Sequence, residues 1–488
     1  MSDAPPPGYT TPVPANIMTP DRVETRIGPL VFDDGRPTPD TADALHDFVD
    51  LMRGVQVFLD CVPAASLEAM RAGLADQGIG ACHQVLVADE LLDSTPLFLT
   101  GNTDTVYATT MLDLDRDGPT VVEIPAGCGP GTVNDAWFRF VVDMGAPGPD
   151  RGQGGRYLIV PEDHEGDLPD GYFVARTPSR VNWLILRGFL VDGRTDAAIA
   201  MFREGLRVYP LSQQDQPPAM EFSSFSAVAM NTIHANDFDF YTEIARVIER
   251  EPVGVMDAET RGTLASIGIR KGRPFAPDDR MRATLEEAVR IGNGTARATA
   301  MAPRDPNVRI YDDRQWQTGF VGDDYQWMGG DPANGRDHDA RTMFFYFATV
   351  NTPAMAMKMV GVGSQYALTF RDRAGDYLDG AAHYRLTIPA GVPAKDFWSV
   401  VVYDPQTRSE LQTDQPFPSR NNTRDDLAAE PDGSTVLHFG PDAPLDAPVS
   451  NWVQTVPGKG WFAILRLYGP LEPWFDQSWK PSDIEPVS

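Results

Sequence analysis

Two blocks of the sequence alternate apolar and polar residues with the period of two that is typical of β-strands. The first block runs from Cys82 to about Arg187, and the second runs from Tyr366 to the C-terminal end. Each contains short runs of β-branched and aromatic residues that are separated by Gly, Pro and Asp, without a helical pattern between them. Strands spaced in this way favour antiparallel sheets that pack as a sandwich or a barrel.

Helical patterns occupy the stretches before and between these two blocks. Thr38 and Pro39 are typical of a helix start, with the threonine as the cap and the proline at the first helical position. Apolar residues then repeat at spacings of three and four, and a second short helix is expected over residues 64–75. Residues 238–305 are mostly helical in pattern, and a long loop rich in Gly, Asp and Trp follows them.

These patterns predict an α+β multidomain chain with two antiparallel β-sandwiches, a helical N-terminal segment and a helical insert between the sandwiches. A length of 488 residues also favours several domains. The predicted units are an extended Pro-rich arm at residues 1–37, the helical segment with the first sandwich at 38–210, the helical insert with the aromatic loop at 211–364, and the second sandwich at 365–488.

The chain is strongly acidic, with 69 Asp and Glu against 41 Lys and Arg and a formal net charge of −28. Such a charge repels phosphate backbones, so we expect no nucleic-acid partner. No run of 18 apolar residues predicts a membrane span. The first 20 residues lack the basic and apolar regions of a signal peptide. We therefore expect a cytoplasmic location for the chain as written, or an extracytoplasmic one if a leader was removed; a homo-oligomer is left open.

Polar residues enter the first block at its GNTDTVYATTMLDL stretch. Asn102 and Asp104 follow a glycine at the entry to a predicted strand. They either form an Asx-turn, or Asp104 projects into a cleft as a base, a cation ligand or an acceptor for a sugar hydroxyl. Arg139 and Asp143 share one face of their strand and can pair there. Since buried charges need partners, further candidates are the residues on strands of the same sheet system, Glu123, Arg139, Asp143, Trp183 and Arg187.

The second block offers aromatic side chains beside charged ones, at Trp398, Tyr403, Trp452 and Arg466. Aromatic faces next to arginine suit a carbohydrate or another polar ring-bearing ligand, because ring faces stack while charged groups bind hydroxyls. The same residues also fit ordinary core strands that end in turns.

Candidate metal ligands are Asp337, His338 and Asp339, since carboxylate oxygens are preferred by divalent cations. The sequence contains no phosphate-cradling loop and no glycine fingerprint for a dinucleotide between a strand and a helix. We therefore expect no nucleotide or dinucleotide cofactor and leave a divalent cation open.

The ordered motifs resemble bacterial proteins that contain domains of unknown function 1254 and 1214. The first resemblance rests on GNTDTVYATTMLDL, VVEIP, WFRFVVD, GGRYLIVP and VNWLILRG, over roughly residues 80–210. The second rests on DYLDGAAHYRLTIPAGVPAKDFWSVVVYD, DGSTVLHFGP, NWVQT and GKGWFAILRLYGPLEPWF, over roughly residues 365–480. The resemblance implies jelly-roll-like sandwiches around a helical insert and a likeness in shape to glycan-processing enzymes, and it assigns no catalytic residue.

These observations predict a hydrolase-type enzyme that acts on a carbohydrate or a polar small organic substrate in a cleft between the sandwiches. Asp104, paired with Asp143 or Glu123, would supply the acid and the base. The predicted substrate-binding residues are Asn102, Arg139, Trp183, Arg187, Trp398, Tyr403, Trp452 and Arg466. The alternatives are a non-catalytic protein that binds a carbohydrate or small ligand with the same surface, and a divalent-metal-dependent enzyme with Asp104, Asp337 or His338 as ligands.

Overall fold

The computed structural model describes residues 8, 10–329 and 335–487. Nine α-helices lie in these residues: α1 Pro39–Asp76, α2 Leu114–Asp117, α3 Asp196–Gly205, α4 Asp239–Arg250, α5 Ala258–Ser266, α6 Asp279–Met301, α7 His338–Phe347, α8 Pro353–Ala356 and α9 Glu472–Phe475. Short 3-10 helices occur at Ala15–Ile17, Leu211–Gln213, Val253–Val255, Pro306–Val308, Val321–Asp323 and Val449–Asn451. Each helix in the described part of the chain is too short or too polar to cross a membrane.

The strands fall into three groups along the chain. The N-terminal group comprises β1 Arg22–Thr25, β2 Gly28–Asp33 and β3 Arg36–Pro37. The first β-block comprises β4 Gln84–Val87, β5 Val106–Asp113, β6 Thr120–Ile124, β7 Gly131–Asp135, β8 Phe140–Met144, β9 Gly155–Pro161, β10 Phe173–Thr177, β11 Val181–Gly188, β12 Arg207–Pro210 and β13 Glu221–Ser224. The second β-block comprises β14 Ser364–Thr369, β15 Tyr384–Ile388, β16 Ala394–Tyr403, β17 Ser419–Asn421, β18 Thr435–Gly440, β19 Trp452–Gln454, β20 Phe462–Pro470 and β21 Glu485–Pro486.

Each β-block contains two sheets. The first block has a six-stranded sheet in the order β13-β4-β5-β11-β7-β8 and a four-stranded sheet in the order β10-β9-β6-β12. The second block has two four-stranded sheets, β14-β20-β16-β17 and β19-β18-β15-β21. The α+β class is therefore confirmed. The prediction of purely antiparallel sheets is wrong at three places, because β10 with β9, β13 with β4 and β19 with β18 pair in parallel.

Two local predictions at the N-terminus need correction. Residues 22–37 of the predicted extended arm form the sheet β1-β2-β3, in which Gly28 adopts the positive φ of a tight hairpin turn. Residues 1–7 and 9 of that arm lie outside the described residues. Thr38 caps α1 as predicted, but the helix continues through Pro63 to its end and no separate second helix forms. Tertiary packing explains this, because the stretch around the proline is almost entirely buried.

The hydrophobic clusters show how the helices and the two β-blocks meet. One cluster fills the space between the two sheets of the first block, with Leu112, Val122, Tyr157 and Leu184 among its members. Another lies between the two sheets of the second block, with Leu386, Val400, Leu437 and Leu465. The largest cluster joins the helices to the other faces of both blocks, through residues such as Phe58, Trp183, Phe344, Tyr403 and Phe462. Residues of both blocks therefore meet at the helical segment.

The packing of α1 against α6 gives a matched test of this core. A methyl group added at Gly292 of α6 would lie 2.8 Å from ring atoms of Phe58, whereas one at the exposed Gly294 would meet nothing within 4 Å. We expect Gly292→Ala to lower the free energy of unfolding by about 1–3 kcal/mol through overpacking. Gly294→Ala is expected to raise it by about 0.5–1 kcal/mol, because alanine has the better helix propensity. Urea unfolding followed by circular dichroism measures both, and equal effects of the two substitutions would contradict the described packing.

Candidate functional site

A cavity of about 80 Å³ lies where both β-blocks and the helical segment meet. That volume has room for roughly six water molecules. Most of its wall is apolar and consists of Phe98, Ile185, Ala300, Gly319, Phe320, Met343, Phe344, Phe347, Ala348, Val350, Met355, Leu368, Phe462 and Ile464. Its polar wall consists of Thr100, Asn102, Tyr107, Arg187, Thr318, Thr349, Gln365, Tyr366 and Arg466.

The first β-block contributes an arginine through the alternation of strand β11. Trp183 and Ile185 belong to the cluster on the helical side of the sheet, and Leu184 belongs to the cluster between the sheets. Arg187 has the same parity as the first two, so it also points to the helical side. It lies opposite Tyr107 of β5, and its guanidinium carbon is 5.7 Å from the centre of that ring.

The second β-block contributes an arginine in the same way. In strand β20, Phe462 and Ile464 belong to the cluster on the helical side, and Arg466 continues their parity. Arg466 lies opposite Tyr366 of β14, with its guanidinium carbon 5.8 Å from the centre of that ring. Each β-block thus presents a cross-strand pair of arginine and tyrosine to one cavity.

Both guanidinium groups are almost fully buried, with Arg187 8% and Arg466 4% exposed. Burial opposes the charge on each, but neighbouring tyrosines outweigh it, so the pKa of both arginines is raised. Burial in turn raises the pKa of Tyr107. At neutral pH the polar end of the cavity therefore combines charged arginines with neutral phenols.

No carboxylate among the described residues lies within 4.0 Å of either guanidinium. Asp143 influences Arg187 from a greater distance, and Asp104 and Glu410 influence Arg466 in the same way. Burial raises the pKa of Glu410 well above its ordinary value. The described residues that line the cavity include no aspartate or glutamate.

The stretch around Asp104 binds the first β-block to the second. Ser399 donates a hydrogen bond of 2.5 Å to Asp104 Oδ2, and Asn421 Nδ2 donates one of 3.1 Å to Oδ1. Asn102 Oδ1 accepts bonds from the backbone N–H groups of Asp104 and Thr105, at 2.9 and 3.1 Å. The Asx-turn interpretation is confirmed. Asp104 is 1% exposed and faces the second block instead of the cavity.

The other two predicted catalytic carboxylates lie elsewhere. Asp143 ends strand β8 and accepts a hydrogen bond of 2.9 Å from Thr352 Oγ1. Glu123 lies on β6 in the four-stranded sheet, where it accepts a hydrogen bond of 2.7 Å from the Tyr209 hydroxyl. The three carboxylates share no described cavity, because each side chain is bonded to different neighbours.

Arg139 pairs with Asp135, Nε to Oδ2 at 2.5 Å, and so the predicted pairing with Asp143 is wrong. The positive φ of Phe138 and a register shift in β7 explain this, because they break the alternation on which the prediction rested. Arg139 lines a separate cleft of about 590 Å³ together with Trp137 and Arg341.

The predicted aromatic residues are mostly structural. Trp183 is buried and donates a 2.6 Å hydrogen bond from Nε1 to Thr109 Oγ1, and Trp398 packs in the cluster between the sheets of the second block. Trp452 donates from Nε1 to the carbonyl of Gly440 at 3.0 Å. Tyr403 is buried, accepts a hydrogen bond from Arg466 and donates one of 2.5 Å to the carbonyl of Gly101.

Of the eight predicted binding residues, the cavity brings together Asn102, Arg187 and Arg466. Tyr107 was within reach of sequence reasoning, because it stands in the same motif as Asn102 and its register partner is Arg187. The sequence carries no sign that the helical residues Met343 and Phe344 line a cavity, because apolar residues at helical spacing predict only burial in the core.

The predicted metal ligands serve other roles. Asp337 caps α7 by accepting the backbone N–H of Ala340 at 2.9 Å, and Asp339 forms an exposed ion pair with Arg304. His338 Nδ1 lies 3.7 Å from Asp60. Within the described ranges, no group of three or more His, Cys, Asp or Glu residues is arranged to hold a metal ion.

The fold and the site define an α+β protein with a cavity at the meeting point of its two β-blocks. Residues 83–210 match the protein of unknown function family DUF1254, and residues 363–472 match the family DUF1214. The chain therefore contains both of these domains, and the resemblance seen in its motifs is confirmed.

One solved structure supports this fold, and a second is similar at a lower level. The VPA0106 protein from Vibrio parahaemolyticus is 16% identical, with a TM-score of 0.56 over 90% of this chain and 100% of that chain. A putative uncharacterised protein from Burkholderia cenocepacia is 11% identical, with a TM-score of 0.41 over 92% of this chain and 97% of that chain. No curated protein matches the sequence.

The hydrogen bonds of Asp104 predict a clear order of stability. Asp104→Ala leaves the buried donors of Ser399 and Asn421 unpaired, each at about 1–3 kcal/mol. Asp104→Asn keeps an acceptor for Asn421 and lets Ser399 accept instead of donate. We expect a large loss of thermal stability for the alanine variant and less than half of that loss for the asparagine variant. Wild-type stability of Asp104→Ala would contradict the role of this residue in joining the β-blocks.

Asp143 predicts a pH-dependent effect. Burial raises its pKa to about 6, although the hydroxyls of Thr352 and Thr132 act in the opposite direction. An unfolded aspartate titrates near 4, so the folded chain holds the proton more tightly, and the contribution to stability falls as the pH rises from about 4 to about 6. Asp143→Asn is therefore expected to raise the free energy of unfolding by about 1–3 kcal/mol at pH 8 and to change it little at pH 4.

Urea unfolding at the two pH values measures the effect of Asp143→Asn. The exposed Asp446→Asn is the control, because it removes the same charge without removing a buried carboxylate. A loss of stability in Asp143→Asn at pH 8 would show that the ionised form of Asp143 is stabilising.

Proposed function

We propose that this protein binds one small organic molecule in the cavity between its two β-blocks, as the ligand-binding alternative predicts. The observation that carries the proposal is the convergence of two cross-strand arginine–tyrosine pairs, one from each block, on one largely apolar cavity. Concave apolar sites with a few converging polar groups are the usual form of a ligand site. Buried charges at such a place are also costly to the fold, which supports a role in binding.

The size of the cavity supports a single small molecule as the ligand. A volume of about 80 Å³ is too small for an extended glycan chain, since its contents compare with roughly six waters. The apolar part of the wall also exceeds the polar part in number of residues. An apolar or amphipathic molecule fits this wall better than a sugar, whose hydroxyls each need a partner.

Hydrolysis by paired carboxylates stays a prediction, and the geometry of the cavity supports it less than it supports ligand binding. Acid and base groups need to reach the reacting atoms, and the cavity wall within the described residues contains no aspartate or glutamate. The metal-dependent alternative likewise stays a prediction. We further propose that the two sheets of each β-block pack as a jelly-roll-like sandwich, which the hydrophobic cluster inside each block supports.

A cavity-filling variant tests the proposed function. Leu368 lines the cavity and is only partly buried in the described fold, so Leu368→Phe adds ring atoms to the space that a ligand would occupy. The matched control is Leu445→Phe, at a side chain that is 99% exposed. We expect a thermal-shift panel of small acids, alcohols, amides and sugars to give 1:1 binders whose affinity falls at least tenfold in Leu368→Phe and stays unchanged in Leu445→Phe.

Calorimetry and NMR complete this test. Titration calorimetry measures the affinities, and NMR spectra of each binder after prolonged incubation show whether it is consumed. Binders whose affinity is unchanged in Leu368→Phe would place the site elsewhere and contradict the proposal. Consumption of a binder by the wild-type chain would favour the enzyme hypothesis over simple binding.

A further inference from the structure

The hydrogen bonds around Tyr107 define the chemistry of the polar end of the cavity. Asn102 Oδ1 accepts two backbone N–H groups, which fixes the orientation of its amide and turns Nδ2 toward Tyr107. Nδ2 then donates to the Tyr107 hydroxyl oxygen. Because that oxygen accepts the amide proton, its own proton is left to be donated to another group.

Arg187 adds further donors at the same place. Its one hydrogen bond to the described backbone runs from Nη1 to the carbonyl of Pro130 and is long, at 3.4 Å. A guanidinium group has five N–H donors and no acceptor, so a further hydrogen bond from Arg187 to the Tyr107 hydroxyl still leaves donors that face the cavity. Arg466 contributes a second positive charge to the same wall.

The donors that remain after these bonds call for a ligand that accepts hydrogen bonds. A buried guanidinium is stabilised by an anion with matched geometry, and a carboxylate takes two parallel N–H bonds from one arginine. The tyrosine hydroxyl completes such a site with a third hydrogen bond. The small volume and the aromatic wall leave space for a short apolar body behind the carboxylate, against Phe320, Phe344 and Phe347.

We infer that the ligand is a small monocarboxylic acid with an apolar body, whose carboxylate is bound by Arg187 and Tyr107 at the polar end of the cavity. This inference rests on the proposed binding function and gives it a substrate class. Arg187 is the residue that selects the charge of the ligand, and the phenylalanines select its apolar character. Arg466 is held in place by both β-blocks, because it donates to Tyr403 of the second and to the carbonyl of Thr100 of the first.

The test compares acids with neutral analogues of the same body. Titration calorimetry on the full chain at pH 7.5 uses phenylacetate against 2-phenylethanol and hexanoate against hexan-1-ol. In the wild type we expect at least one of the acids to bind at least tenfold more tightly than its alcohol. Arg187→Gln is expected to remove that preference, with the alcohol affinity changed less than threefold. Tyr107→Phe is expected to weaken the acid about tenfold and to leave the alcohol unchanged.

Arg385→Gln is the matched control, because Arg385 is a strand arginine of the second β-block that is exposed and paired with Glu485. It is expected to bind like the wild type. If Arg187→Gln does not fold, as judged by circular dichroism, the wild-type comparison and Tyr107→Phe decide the question.

Alcohols that bind as tightly as the acids in the wild type would overturn the inference and leave the proposed binding function intact. An acid preference that survives in Arg187→Gln and Tyr107→Phe would overturn it as well. If neither acids nor alcohols bind, the carboxylic acid class is wrong. The proposed binding function is then tested separately, by the broader thermal-shift panel with Leu368→Phe.

Discussion

The contact between residues 100–104 and the sheet of β14, β20, β16 and β17 holds the two β-blocks in register. Several polar groups of this short stretch have partners in the other block. Asp104 accepts from Ser399 and Asn421, and the carbonyls of Thr100 and Gly101 accept from Arg466 and Tyr403. Such a dense set of buried bonds defines one relative placement, because a shift of either block would leave several polar groups unpaired at once.

The cavity is a consequence of that placement. The stretch that docks on the second block leads directly into β5, whose Tyr107 lies opposite Arg187. Arg466 belongs both to the docking contact and to the cavity wall, so the same side chain joins the blocks and sets the charge of the site. The helices then close the remaining side with aromatic residues of α7. A site made in this way is formed only when both β-blocks and the helical segment are assembled.

Periodicity in the sequence was sufficient for part of this picture. The parity of Trp183, Ile185 and Arg187 in β11 can be read from one strand alone, as can that of Phe462, Ile464 and Arg466 in β20. The sequence identified both arginines as candidates on other grounds, Arg187 as a charged strand residue that needs a partner and Arg466 as an arginine beside aromatic residues. It did not reveal that the two faces meet at one cavity, because that depends on strand order and on helix packing over hundreds of residues.

The errors have equally specific causes. Asp104 carries the residue type and the neighbours of a catalytic group, but its oxygens are taken up by Ser399 and Asn421, which are about 300 residues away in the chain. Long-range partners of this kind leave no local pattern. Arg139 was assigned to the wrong carboxylate because a positive φ at Phe138 breaks the alternation of the strand.

The burial of the two arginines is itself an argument that the cavity binds a ligand. A hydrophobic pair at positions 187 and 466 would fill the cavity and avoid the desolvation of two charges, and such replacements are often neutral or stabilising. The carbonyls of Thr100 and Gly101 accept hydrogen bonds from Arg466, and the charge of Asp104 acts on it from a greater distance. Together they explain part of the charge at Arg466. They do not explain Arg187, whose bond to the Pro130 carbonyl is long and whose further hydrogen bond is made to the uncharged Tyr107 hydroxyl. A group that costs stability and is not needed to join the two β-blocks is best accounted for by what enters the cavity beside it.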